Sequence, residues 1–168
     1  MPEEAFHHEV FAARDAALLG HVVAAETWAA TLRADSALAQ TRRLDLEYAS
    51  IRAPIAGATG RLDEAESAIR TALELNRGVA NPAGEVANLV NLGDLALRRA
   101  DWAGAIEALR PAVEIADRLG FPRGQGLAAI NLAHALIHSG RTEEAETALA
   151  TAARILGERL TGADLYVT

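Results

Sequence analysis

Small residues punctuate this chain at a constant interval. Ala25, Ala65, Ala105 and Ala145 stand forty residues apart, within the stretches "GHVVAAETWAATL", "GRLDEAESAIRTA", "ADWAGAIEALRPA" and "GRTEEAETALATA". In each stretch apolar positions follow one another at three and four residues, the spacing that gathers side chains on one face of a helix. Five positions before each alanine is a small residue suited to ending a helix: Gly20, Gly60, Ala100 and Gly140. Seven positions after it come Leu32, Ala72, Ala112 and Ala152. Self-similarity at this period predicts stacked helical units instead of a plain Ala-rich bundle.

Each unit reads as two helices joined by a tight turn. Asn81-Pro82 offers a cap and a first-turn proline for a helix running to about Arg99. Asp101 caps the next, which extends to about Leu119 with Pro111 well inside, where a kink or early break is expected. Further on, "FPRGQG" opens a helix, "SGR" closes it, and Thr142 is placed as the cap of the last one. The second unit is the least regular: Asp35 or Ser36 starts its first helix, yet Pro54 sits inside it and Arg52 takes a position that should be buried.

Composition sharpens this picture. The chain has 168 residues, is 51% hydrophobic and only 4% aromatic, so much of the apolar content is alanine, the strongest helix former. The net charge is −7, all 16 basic residues are arginine and no basic block exists. Nucleic-acid binding, which needs clustered cations to displace counterions, is not expected. The arginine usage hints at a GC-rich bacterial origin. Without cysteine there is no disulfide framework, thiolate metal site or cysteine nucleophile. "MPEEAFHHEV" is acidic and no apolar run reaches membrane-spanning length, so a soluble, cytoplasmic protein is expected.

Leu89, Leu92-Gly93, Ala96, Trp102, Ala105, Leu109 and Ala112, followed by Ile130, Leu132-Ala133, Leu136, Gly140, Ala145, Leu149 and Ala152, resemble the tetratricopeptide repeat pattern. The spacing looks like the longer variety of that repeat, about forty residues, similar to repeats of bacterial regulators and kinesin light chains. The resemblance implies an all-α, right-handed α-solenoid of about four helix–turn–helix repeats. It covers residues 1–168 as one domain, with repeats near 6–45, 46–85, 86–125 and 126–160 and a tail at 161–168. Small residues would let paired helices cross closely, Gly93 and Ala133 facing Ala105 and Ala145. Trp102 falls at a packing position and is expected in the core, whereas Trp28 is a contact candidate if exposed.

In such repeats the first helix of each unit lines a concave groove. The residues so placed are His7, Val10, Phe11, Arg14 and Leu18, then Glu47, Ser50, Ile51 and Pro54. The third unit adds Ala87, Val90, Asn91, Asp94 and Arg98, and the fourth Leu127, Ile130, Asn131, His134 and His138. Asn91 and Asn131 hold the same position in consecutive units. In related repeats such an asparagine grips an extended peptide backbone, because one amide both donates and accepts; the bland alternative is a bond to a neighbouring helix. The equivalents Phe11 and Ile51 would form an apolar half of the groove. A clamp for acidic C-termini is disfavoured, since Arg14 and Arg98 are the projected groove cations.

Catalytic and metal chemistry find little support. His134 and His138, four apart on one face, suit a metal geometrically but lack the Glu of the protease motif, so solvated groove histidines are the simpler reading. Ser139 after His138 lacks an ordered acid. "GFPRGQG" has no lysine after it and no strand before it, so phosphate cradling is weak. No cofactor or metal is expected. The sequence therefore suggests a non-enzymatic scaffold that holds a protein or peptide partner. The alternative is a regulatory or ligand-sensing domain with a small-molecule cavity between units; an enzyme built on a solenoid ranks below both. The tail residues Ile155, Leu156, Leu160, Leu165 and Tyr166 either cap the stack or leave an apolar edge that pairs two copies into a homodimer.

Overall fold

Five helices begin twenty residues apart: α1 Leu62–Gly78, α2 Pro82–Arg98, α3 Trp102–Arg118, α4 Pro122–His138 and α5 Thr142–Ala163. They belong to a computed structural model that describes residues 60–163, with no strand among the described residues. Contacts gather into two units, Met1–Ala80, which holds α1, and Asn81–Thr168, which holds the other four. In the second unit α2 packs on α3, α3 on α4 and α4 on α5, and α2 also meets α4.

The even spacing has a local cause. The joints at residues 60, 80, 100, 120 and 140 each place one residue in the left-handed region: Gly60 (φ 75°), Ala80 (φ 52°), Ala100 (φ 56°), Gly120 (φ 60°) and Gly140 (φ 72°). At three of them the same pair of bonds closes the helix. Ala100, Gly120 and Gly140 donate to Leu97, Asp117 and Ile137, while Asp101, Phe121 and Arg141 donate to Ala96, Ala116 and Leu136 at 2.9 Å. That is the Schellman end, which satisfies carbonyls the helix leaves open. The next residue then starts a new helix. Asn81 Oδ1 accepts from Gly84 N at 3.2 Å and Asp101 Oδ1 from Gly104 N at 3.0 Å, as the cap assignments at Asn81 and Asp101 require. Phe121 makes no side-chain cap. Thr142 is already inside α5, and Arg141 supplies the first acceptor carbonyl, to Ala145 N at 3.0 Å.

The alanine register is realised in space. Ala65, Ala105 and Ala145 are each the fourth residue of a helix and each buried, and Ala72, Ala112 and Ala152 are buried likewise. Around Ala105 and Ala145 the core of the second unit draws on Ile106, Leu109, Leu132, Ala133, Leu136 and Ala148, with Ala96, Leu97 and Val113 packed against it. Close approach is visible at Gly93. A Cβ there would fall on Leu109 Cγ and lie 2.5 and 2.8 Å from its δ carbons, so the leucine occupies the space a side chain would need. Gly93 therefore faces Leu109. Gly124 plays the same part at the start of α4, under the Phe121 ring and beside Val86.

Helix α3 runs unbroken through Pro111 to Arg118, against the expected early break. Proline removes one donor, leaving the carbonyl of Glu107, an exposed residue, without its helical partner. Leu109 and Ala112 on either side are fully buried, so packing against two neighbouring helices holds the segment helical. The irregularities expected at Arg52 and Pro54 lie outside the described residues.

Candidate functional site

Because two tight reversals separate them, α2 and α4 run in the same direction, and each residue of α2 has a counterpart forty positions on. Asn91, Asp94 and Arg98 correspond to Asn131, His134 and His138. Asn91, Asp94, Arg98, His134 and His138 are exposed and Asn131 is half-buried, on two helices that pack against each other. The asparagines of the chain divide by role. Asn76 and Asn88 are buried and donate to the carbonyls of Ala72 (3.0 Å) and Gly84 (2.9 Å) one turn back. Asn91 and Asn131 have no such bond among the described residues, which leaves both amides with open donors and acceptors.

Val90 leaves the projected groove. It is buried, because α4 lies against α2 and covers that side of the helix. Ile130, its counterpart on α4, is exposed. Phe11, Arg14, His7, Val10, Leu18, Glu47, Ser50, Ile51, Pro54 and Trp28 lie outside the described residues.

An aromatic residue joins the site that sequence reasoning had assigned to the core. Trp102, the first residue of α3, is half-buried. Its ring stacks on His138 with centroids 4.4 Å apart and planes 12° from parallel, and stands 6.0 Å from His134. The two imidazoles meet edge to face at 4.9 Å. The reversals between α2, α3 and α4 bring the start of α3 to the ends of its neighbours, which sets Trp102 against the last turn of α4. Contacts of this geometry favour a packed, oriented trio over freely rotating side chains. The result is a flat aromatic wall at the end of the surface that carries Arg98. Among the described residues no group of three or more His, Cys, Asp or Glu could hold a metal ion. The Ser139 hydroxyl donates to the Ala135 carbonyl at 2.8 Å, ordinary helix-end chemistry.

A second feature lies between α3 and α5. A cleft of about 240 Å³ is floored by Leu132 and Leu136 and walled by Val113, Ala148, Thr147 and Thr151. Arg110 on α3 reaches Glu144 on α5 at 2.8 Å, and Glu144 also accepts from Arg141 at 2.6 and 2.8 Å. Arg141 first, and Arg110 next, hold the Glu144 carboxyl below the usual carboxylate range. The "TEEAE" run thus contributes one residue that bridges two helices. No described helix is long and apolar enough to cross a membrane.

No family model matches the chain, and no curated protein does. Among solved structures it is similar to a signal transduction ATPase with numerous domains from Pyrococcus horikoshii, described as carrying a tetratricopeptide repeat sensor. The TM-score is 0.77 at 18% identity, over 92% of this chain and 25% of that one, so the chain spans a quarter of that protein's length. At that identity the likeness establishes the fold: an all-helical, tetratricopeptide-like solenoid repeat.

Proposed function

We propose that the chain is a non-enzymatic, cytoplasmic tetratricopeptide scaffold of the forty-residue variety, whose α2–α4 surface holds an extended segment of a protein partner. The observation that carries this reading is the pair Asn91 and Asn131. They occupy equivalent positions on helices in contact, with amides that have no partner among the described residues. An extended strand repeats its backbone groups at a fixed rise, and two amides at equivalent positions can each grip one peptide unit. Asp94, Arg98 and His134 offer polar contacts beside them, and the Trp102–His138 stack gives an apolar side chain of the partner a flat surface. The test is affinity capture with the intact protein and with Asn91→Ala/Asn131→Ala. Each lost hydrogen bond is worth about 1 kcal/mol, so the double variant should bind roughly thirty-fold more weakly. Undiminished capture would refute the groove mechanism.

A second reading, a regulatory domain that senses a small ligand, is favoured by the α3–α5 cleft, with its apolar floor and charged rim. The sensor named in the similar structure is in keeping with it. Native mass spectrometry of the purified protein tests this: a co-purifying small molecule that is lost on Leu136→Phe, which fills the floor, would support it.

A further inference from the structure

The α3–α5 cleft carries an inventory of donors and acceptors that selects its ligand. Three charged residues line it, Arg110, Glu114 and Glu144. Arg110 Nη2 donates to Glu144 Oε2 at 2.8 Å, so the base of the lining is compensated in place. Glu144 is committed as well, because its two oxygens also accept from Arg141 at 2.6 and 2.8 Å. Glu114 is different. It is exposed on α3 and makes no hydrogen bond or ion pair with any described residue. Arg110, one turn back, is engaged by Glu144, and Arg118, one turn on, makes no bond to Glu114.

The neutral polar groups of the wall ask for the same chemistry. Thr147 and Thr151 donate their hydroxyls to the carbonyls of Glu143 and Thr147, both at 3.1 Å. With that proton used, each hydroxyl can meet a ligand only as an acceptor. The free carboxylate and the two hydroxyl oxygens thus all call for a donor. Leu132, Leu136 and Ala148 are buried and apolar, and their contact with hydrocarbon is favourable.

We propose that this cleft binds a small primary amine on a hydrocarbon chain, with the chain over Leu132, Leu136 and Ala148 and the ammonium at Glu114. An ammonium brings three donors and no acceptor, which matches the open groups. Arg110 keeps further N–H groups, but an anion placed on them would share the cleft with two carboxylates. A volume of about 240 Å³ holds about eight heavy atoms at about 30 Å³ each, the size of hexylamine. The proposal rests on the cleft being a ligand site, the second reading above, and adds the chemistry of the ligand.

The probes are n-hexylammonium and n-hexanoate, equal in length and opposite in charge. Each is titrated into the full chain while the backbone amide resonances of Thr147, Ala148 and Thr151 are followed. Hexylammonium should shift them saturably, with a dissociation constant on the order of 1 mM, as suits so small a molecule at an open site. Hexanoate should bind at least about five-fold more weakly, the effect of one partly exposed charge contact. Glu114→Gln should remove that preference. Glu107→Gln, which takes the same charge from an exposed α3 position outside the cleft, should leave it. Both positions are exposed, so neither variant disturbs the core. Hexanoate binding as tightly as hexylammonium, a preference that survives Glu114→Gln, or one reduced equally by Glu107→Gln would overturn the choice of ligand while leaving the cleft a site. Amides unmoved by either probe up to about 20 mM, well above that affinity, would overturn the cleft as a ligand site and the proposal with it.

Discussion

Gly93 provides a quantitative test of helix nesting. Replacing it with alanine adds one methyl group to a helix interior, which by propensity alone stabilises by about 1 kcal/mol. The structure predicts the opposite sign. The new Cβ would fall on Leu109 Cγ and within 2.5 and 2.8 Å of both δ carbons. Leu109 is fully buried, within a core shared with Leu132, Ala133 and Leu136 of α4, so it has no route by which to swing away. Overpacking a site of this kind costs about 3 kcal/mol, the upper part of the usual range. Set against the propensity gain, Gly93→Ala should destabilise by about 2 kcal/mol. Leu109→Ala alone removes a fully buried leucine and should cost about 3 kcal/mol or more. In that background the obstruction is gone, and adding Gly93→Ala should stabilise by about 1 kcal/mol. The double-mutant cycle therefore carries a coupling of about 3 kcal/mol. Urea unfolding of the four proteins, followed by circular dichroism, measures it. If Gly93→Ala is as stable as the parent with Leu109 intact, or if its effect is the same in both backgrounds, the nesting argument is wrong.

Other consequences follow from the joints and the ion network. Ala100 holds a left-handed conformation that costs a residue with a Cβ about 1 kcal/mol, so Ala100→Gly should raise the unfolding midpoint, and Ala80→Gly likewise. A lower midpoint for both would contradict the assigned φ values. Asp101→Ala should destabilise by about 1 kcal/mol through loss of its bond to Gly104 N, with Asp101→Ser recovering most of it in thermal melts. Glu144 has its carboxyl lowered by Arg141 and Arg110, so its stabilising effect is present above the ordinary carboxylate range. It is lost as pH falls through the depressed value. The stability gap between the parent and Glu144→Gln should therefore close at low pH and shrink in high salt, and a gap independent of both would refute the ion-pair account.

What the sequence revealed and what it hid differ in physical kind. The alanines at 65, 105 and 145 were legible because burial at a fixed helical position leaves a periodic trace in composition. The caps at Asn81 and Asp101 were legible because a cap is satisfied within four residues. Trp102 was misread because its partners lie more than thirty residues away, and a family packing position does not say what covers the ring. Pro111 was read by a local rule that packing around Leu109 and Ala112 overrides. Val90 and Asn91 show a subtler limit. Adjacent residues sit at the boundary between the covered side and the open side of α2, and spacing alone cannot tell which is which until α4 is placed. The Arg110–Glu144 bridge spans helices two apart in order, and such a pairing leaves no mark on either local sequence. Of the groove projected from the sequence, His134 and His138 meet each other and Trp102, and Val90 is buried.

The proposed groove is tested most directly by nuclear magnetic resonance of the asparagine side-chain amides, as the partner recovered by affinity capture is added. The resonances of Asn91 and Asn131 should shift together, while those of Asn76 and Asn88, buried and already bonded to Ala72 and Gly84, should stay in place. Asn91 and Asn131 side-chain amides that stay unmoved, while the backbone amides of Thr147 and Thr151 at the α3–α5 cleft shift, would contradict it.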